Sequence, residues 1–541
     1  MQKIFRGAIA LGLVIAAVGL AGRFLWVDSQ RNLPISSQSA NPLVESWFEA
    51  DLALKDLEDI IQDEPCRSSQ KYFLSCINAM HSIAAKFQMT INFDGSLGAL
   101  TEKKLEDSTE KRELEGWQNF YVSKSAAAKK ISFQKIWNTL KKDFVLKPER
   151  AQEKAYILAI GLNAFLSVFK DPHTYLIPIK YYNEVITPLS TFSNSLGVVL
   201  ARGKANYFIR KVLEKSPADF SGLVKGDFIL EVNHQEIDDL PLAQVGELLK
   251  AKEGETTHLL IRREGGVKKI VRVPRMTVEI PTMTWKIFPS KHLGILTLNK
   301  FAKGSCEKAQ EALLEFSQAH TNAILFDLRD NGGGQLEEAS CIASLFLGKD
   351  REILKLHYND SEKGVESLFG SHEQIYFGAL GVLINSGTAS AAEILAGVLQ
   401  EYHRAVLVGE RTFGKGSFQE GETWDSNPRI ALFETKGLFT MPSGRSPQLT
   451  GILPDFPVRF REAQALREED LYINPVRPPT KMRFSLNLPG WANNAPKCLN
   501  TRQNQSAKSG SIPFLAQYDP QLEEATKLVI CSAVAQNLNG F

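Results

Sequence analysis

Ser390 and Lys415 are the two residues whose types, spacing and neighbours best suit a reaction. Ser390 stands in GVLINSGTASAAEILAG, where an apolar run read as a buried strand hands over to an amphipathic run read as a helix. Such a turn exposes a side chain at a strand end, and the first free N–H groups of the helix, around Ala391, point the same way. A nucleophile and an oxyanion donor can therefore come from neighbouring residues. Lys415 lies 25 residues further on, in GERTFGKGSFQE, after one predicted helix and one predicted strand. An α/β chain returns beside its starting point over that distance. Gly414 and Gly416 allow close approach to the lysine. Phe413 and Phe418 would desolvate its ammonium and lower its pKa toward neutrality, as a lysine needs if it is to accept a serine proton.

Each residue also has a plainer local reading. Ser390 or Thr388 can cap the helix, and Lys415 can be a surface cation. Gly409 to Lys415 spells G-x-x-x-x-G-K, the start of a phosphate loop, but Gly416 replaces the magnesium-binding hydroxyl and the loop leads into strand-like SFQE. A Ser-His-Asp triad would draw on His403, the nearest histidine, yet His403 falls at the end of the helix after Ser390, the place of a helix C-terminal cation. The turn DLRDNGGGQ at 327–335 is the third element. Its glycines permit close backbone approach, so one of Gly332 to Gly334 can offer an N–H to an oxyanion, although an ordinary strand-to-helix turn has the same composition.

These groups need elements to hold them, and 541 residues exceed what one ordinary core contains, so several domains are expected. Lys+Arg of 63 against Asp+Glu of 61 gives a formal charge of +2 without a basic block, which excludes a charge-driven nucleic-acid binder. Residues from about 43 to 180 place apolar side chains at helical spacing, as in KYFLSCINAMHSIAAKF and AYILAIGLNAFLSVF, and the block ends at KDPHTYLIP. From Ser195 to about Pro274 short β-branched runs with glycine punctuation predict a small β unit, with helix candidates at SPADFSGL and PLAQVGELLKA. From 290 onward strands and helices alternate, the signature of an α/β core. Beyond 458 the chain turns Pro-, Asn- and Ser-rich, with one late helix, DPQLEEATKLVICSAVAQ.

The N-terminus carries Lys3 and Arg6 before an uncharged apolar run from Gly7 to Gly22, the layout of a secretory signal. Export is expected, by a cleaved signal or a retained anchor. Six cysteines, at 66, 76, 306, 341, 498 and 531, fall as three local pairs that suit an exported chain, with 66–76, 306–341 and 498–531 the obvious connectivity among those open to them. There is no C-x-x-C and no His/Cys cluster of zinc spacing, so neither metal nor other cofactor is expected.

Five segments together resemble the C-terminal processing (tail-specific) peptidases, serine peptidases with a Ser/Lys dyad. They are DPHTY at 171–175, DLRDNGGG at 327–334, NSGTASAAE at 385–393, FGKGSFQ at 413–419 and MPSGRSPQLTGILPD at 441–455. The order and the spacing of Ser390 and Lys415 make the likeness specific, and it covers roughly residues 150 to 460. The resemblance implies Ser390 as nucleophile, Lys415 as general base, Gln419 as the residue that orients the lysine, and Gly333 with the amide of Ala391 as oxyanion hole, Gly334 being the neighbouring alternative. The family pattern often has Pro at Gly332 and Ser at Thr388, mild departures that leave these assignments intact.

The β unit resembles a PDZ domain. SLGVV at 195–199 matches the carboxylate-binding loop, which implies that the N–H groups of Leu196, Gly197 and Val198 receive a substrate's terminal carboxylate while the peptide adds to the sheet edge. The expected fold is multi-domain α+β, a crotonase-like α/β serine peptidase core with an inserted PDZ domain and an N-terminal helical region. Its parts are a signal or anchor at 1–30, helices at 43–190, the PDZ domain at 191–275, the core at 276–460 and an extension at 461–541. The expected partners are proteins or peptides with accessible C-termini, and no nucleic acid. The expected place is the periplasm or cell envelope, with membrane association through the N-terminus. A catalytically inactive PDZ-containing scaffold is the alternative.

Overall fold

The computed structural model describes residues 52–100, 110–146, 154–180, 196–202, 206–238, 254–263, 266–274, 281–424, 427–459, 467–472, 475–478 and 519–538, with a few isolated positions besides. The expectations for residues 1–30 and for PLAQVGELLKA lie almost wholly outside these, apart from Val14–Ile15, a two-residue strand on a sheet edge, and a few positions such as Val245. Among the described residues no helix is long and apolar enough to cross a membrane.

The helical block forms where the spacing places it. α1 (Gln70–Lys86) starts at Ser69, whose hydroxyl accepts the N–H of Tyr72 at 3.2 Å. After α2 (Phe133–Leu146), the helix α3 (Lys154–Phe169) is buried along nearly all its length. It lies close against α1 because residue 161 is glycine: a Cβ there would stand 2.6 Å from Ile83 Cδ1. The disulfide Cys66–Cys76 ties α1 to the short helix Asp63–Ser68 before it. This core runs on into β1 (Tyr175–Pro178), which pairs antiparallel with residues 430–433 and so joins the helices to the catalytic region.

The β unit is an antiparallel sheet of β2 (Val198–Arg202), β3 (Tyr207–Val212), β4 (Phe228–Val232), β5 (Thr256–Arg262) and β6 (Lys268–Pro274), in the spatial order β6-β5-β4-β3-β2. Strict alternation in β5, where Thr257, Leu259 and Ile261 are buried, gives the sheet one core face. The helix predicted at SPADFSGL is a single turn, Pro217–Phe220, with Ser216 as its cap.

The core opens with β7 (Met283–Phe288) and β8 (Leu293–Leu298), an antiparallel pair, and continues as α4 (Ser305–Gln318), β9 (Ala323–Asp327) and α5 (Leu336–Leu347). A hairpin of β10 (Glu352–Tyr358) and β11 (Val365–Phe369) follows, then β12 (Ala379–Ile384), α6 (Ala391–Glu401), β13 (Val406–Gly409), β14 (Ser417–Trp424), β15 (Asn427–Thr440) and β16 (Phe456–Pro457). One sheet runs β7-β8-β9-β12-β13-β16, parallel from β8 onward. The other, antiparallel, contains β14-β15-β10-β11 with β1 on β15.

The parallel strands read as unbroken apolar runs because both faces are covered. Ile324 and Phe326 of β9 face α4, α5 and α6, while Ala323 and Leu325 face the late helix, α8, after the single turn α7 (Glu468–Leu471). That helix, α8 (Pro520–Leu538), packs Leu522, Ala525, Leu528 and Val529 onto the sheet. The mixed multi-domain architecture expected from the sequence is therefore present, with the β unit inserted between β1 and β7. Cys306–Cys341 bonds α4 to α5 as expected, and Cys531 is disulfide-bonded, its expected partner Cys498 lying outside the described residues.

Candidate active site

Ser390 sits where β12 turns into α6, at φ 58° and ψ −121°. A non-glycine residue held there stores about 1–3 kcal/mol of backbone strain, which the surrounding bonds must sustain. They do so from the Gly-rich turn after β9. Ala389 N–H donates to Asn331 O at 2.9 Å, Thr388 Oγ1 donates to Leu328 O at 2.9 Å, and Asn385 Oδ1 accepts from Asp330 N at 3.0 Å. The two turns are knitted together. The Ser390 hydroxyl is buried and makes no hydrogen bond, so it does not cap the helix.

Gly333 belongs to the same cluster. At φ +99° it lies so close that a Cβ would stand 2.8 Å from Ala389 O, 2.9 Å from Ser390 Cβ and 3.0 Å from Ala391 N. Ser390, Ala391 and Gly333 are thus brought together. The Gly333 N–H is engaged, donating to Asn331 Oδ1 at 2.8 Å.

Lys415 is wholly buried. Its Nζ donates to Gln419 Oε1 at 2.7 Å and to Ser417 O at 2.9 Å, which leaves Ser390 Oγ outside its hydrogen bonds. Gln419 reaches it because a register shift between Phe418 and Gln419 re-aims β14 against β15. Burial pulls the Lys415 ammonium down to about 8, against the nearby carboxylates of Glu468, Asp171 and Glu393. The surface reading of this lysine is excluded, and the phosphate-loop reading loses the free cation it needs.

Positions that sequence reading left without a role complete the site. Glu393, buried in the first turn of α6, accepts Ser390 N at 2.9 Å and Lys415 N at 2.8 Å on one oxygen, and Gly414 N at 2.9 Å and the Thr412 hydroxyl on the other. One carboxylate therefore staples the serine turn to the lysine loop, although burial pushes it up to about 7 against those four donors. Its signal was visible as the S-x-x-E spacing of a helix start. Asp171, from DPHTY, accepts Thr435 Oγ1 at 2.7 Å, and Thr435 Oγ1 accepts Gln419 Nε2 at 3.2 Å, so that motif buttresses the residue that holds Lys415. Glu468, in the extension, pairs with His173 Nε2 at 2.7 Å, and its same oxygen accepts Gln448 Nε2 at 3.3 Å. Gln448 in turn accepts the N–H of Gly416 at 2.6 Å. Nothing local in the sequence marks Glu468, because its partner is 295 residues away.

In the β unit, Leu196 is buried, Gly197 adopts φ +80°, and Val198 opens β2 opposite Val212. A side chain at Gly197 would overlap Ser216, at 2.1 Å from its Cβ, so the expected carboxylate loop is pinned against the cap of the following helix.

Residues 292–458 match the model of peptidase family S41, and residues 208–263 match a PDZ domain. A probable CtpA-like serine protease of Staphylococcus epidermidis is 26% identical over 341 residues, spanning 63% of this chain and 67% of that protein; one of Staphylococcus aureus is 24% identical over 345 residues, spanning 64% and 68%. Among solved structures, a photosystem II D1 C-terminal processing protease is 21% identical with a TM-score of 0.41, covering 65% of this chain and 94% of its own. Mature CPAF is 15% identical with a TM-score of 0.38, covering 72% and 94%. The class is that of a serine-type peptidase carrying a PDZ domain. Residues 292–458 are similar to peptidase family S41, and the chain is similar to CtpA-like serine proteases.

Proposed function

We propose that the chain is an exported endopeptidase that takes the C-terminal tails of protein substrates through its PDZ domain and cuts them with a Ser390/Lys415 dyad. The observation that carries this reading is the buried Lys415, stripped of solvent, oriented by Gln419 and tied to the serine turn through Glu393. A lysine so placed is neutral for a useful fraction of the time near neutral pH.

In the first step neutral Lys415 Nζ takes the proton from Ser390 Oγ as the oxygen attacks the scissile carbonyl. The tetrahedral oxyanion is received by the N–H groups of Gly333 and Ala391. Gly333 exchanges its bond to Asn331 Oδ1 for one to the oxyanion. The ammonium of Lys415 then returns the proton to the departing amine, the C–N bond breaks and an acyl ester remains on Ser390. Water, deprotonated by the same lysine, hydrolyses the ester and regenerates the site.

The N–H groups of Leu196, Gly197 and Val198 hold the substrate's terminal carboxylate while the tail adds as a strand. The apolar run at Gly7–Gly22 and the disulfides support export to the periplasm or envelope.

The test is hydrolysis of an unfolded reporter with an apolar free C-terminus by the chain lacking residues 1–30, beside Ser390→Ala and Lys415→Ala. Loss of turnover by about 10³-fold or more in each, with peptide binding retained, is the expected result. Binding without hydrolysis in the unaltered protein would move the weight to a scaffold.

A further inference from the structure

The Gly-rich turn, the PDZ domain and the C-terminal extension meet at one carboxylate. Asp519 is the residue before α8, nearly buried, and its Oδ1 accepts the N–H of Leu522 as a helix cap. Both oxygens of the same carboxylate accept from Arg329 Nη1, at 2.8 and 2.9 Å, and one accepts Lys225 Nζ at 2.8 Å. Arg329 stands in the turn that leads to Gly333, and is held from its other side by Asp327, with Nη2 to Oδ2 at 2.6 Å. Lys225 belongs to the PDZ domain. Two further PDZ residues touch the same turn: Lys211 Nζ donates to Arg329 O at 3.1 Å, and Arg210 pairs with Asp330 at 2.6 Å.

We infer that Asp519 is a positioning residue for the peptidase reaction: from the C-terminal extension it fixes Arg329, and with it the oxyanion turn, and it latches the PDZ domain onto that turn through Lys225. The inference rests on the proposed function insofar as the PDZ domain is the tail-binding module. The charges at this junction are interdependent. Burial opposes ionisation of Asp519, and Arg329 and Lys225 more than offset it, holding the carboxyl well below its usual range. Burial draws Lys225 down to about 8, with Arg329 adding to the fall and Asp519 resisting it. Removing the Asp519 charge takes away the anion that Arg329 and Lys225 share, with Asp327 still beside Arg329, and so weakens the hold of the PDZ domain on the turn. Position 519 also suits the experiment, because Asn caps a helix as well as Asp does, so Asp519→Asn keeps the cap of α8 while removing the charge and one of the two acceptor oxygens.

The experiment uses the full exported chain and two reporters of one sequence, ending in a free carboxylate or in an amide. Asp519→Asn and Lys225→Met are each expected to reduce the acid-over-amide preference in kcat/KM by about fivefold or more, and the double variant to do no more than either one, because they are two ends of one ion pair. Asp519→Asn is in addition expected to lower kcat on the amide reporter, which Lys225→Met is not, since only the former loosens Arg329. Unchanged preference in both variants, or effects that multiply in the double, would overturn the latch. If the native chain shows no acid-over-amide preference, the tail-recognition reading fails, and the latch is then judged by amide hydrogen exchange at 206–213 and 328–335. Faster exchange there in both variants sustains it, and native rates refute it.

Discussion

Lys415 can act as a base only when its amine is neutral, so kcat/KM should climb with pH through the lysine's pKa, placed near 8 by burial. Three carboxylates face it, Glu468, Asp171 and Glu393, and each favours the protonated form. Glu393 and Asp171 are also structural staples, but Glu468 can be neutralised with little change of shape, since Gln keeps the reach to His173 and Gln448. Removing a facing negative charge makes the ammonium costlier and lowers its pKa, so the acid limb of the Glu468→Gln profile is expected roughly one pH unit lower. A limb that stays in place would mean that Glu468 serves only the fold. Ser390, Lys415 and Gln419 could be singled out as candidates in the sequence because each lies in a short contiguous motif with its local environment spelled beside it. Glu468 and Asp519 could not. Their partners, His173 and Arg329, lie hundreds or nearly two hundred residues away, and a long-range ion pair leaves no local periodicity.

At the scale of elements, the proposed catalytic geometry is the contact of two turns, one after β9 and one after β12. Their closeness depends on glycine for two separate reasons at Gly333. Its φ of +99° strains any side chain, and a Cβ would meet Ala389 O at 2.8 Å. Gly333→Ala is therefore expected to push the turns apart and reduce kcat by about 10²-fold or more, the usual cost of losing one oxyanion donor, with little change in KM. Kinetics beside a thermal melt would decide it: a large loss of Tm in step with the loss of activity would show that residue 333 maintains the fold instead of the reaction. The strands and helices that flank these turns were readable from apolar runs and helical spacing, as α6 and β12 show. What the sequence did not reveal is that Gly333 has a partner in Asn331, because a side chain folding back two residues onto the backbone leaves no mark in the apolar pattern.

For the molecule as a whole, the extension after β16 is part of the peptidase and not a tail on it. The match to peptidase family S41 ends at residue 458, yet among the described residues the sheet face formed by Leu293, Ile295, Leu325, Leu383, Val406 and Val408 is covered chiefly by α8. Gly381 records how close that helix lies, since a Cβ there would come within 2.5 Å of Val529. Burying Leu522, Leu528 and Val529 contributes about 1.5–3 kcal/mol each, so α8 supplies an amount comparable with the ~5–15 kcal/mol net stability of an ordinary domain. The same extension also delivers Glu468, from α7, to His173 and Asp519, before α8, to Arg329, so stability and site geometry share one stretch of chain. A chain ended after Arg459 is accordingly expected to lose its cooperative unfolding transition and to aggregate through the bared sheet face. Circular dichroism melts and size-exclusion chromatography of that truncation, beside the full chain, measure this directly. A monomeric, cooperatively melting fragment would show that the core closes its own sheet, and the activity left in such a fragment would then measure what Glu468 and Asp519 add to catalysis alone.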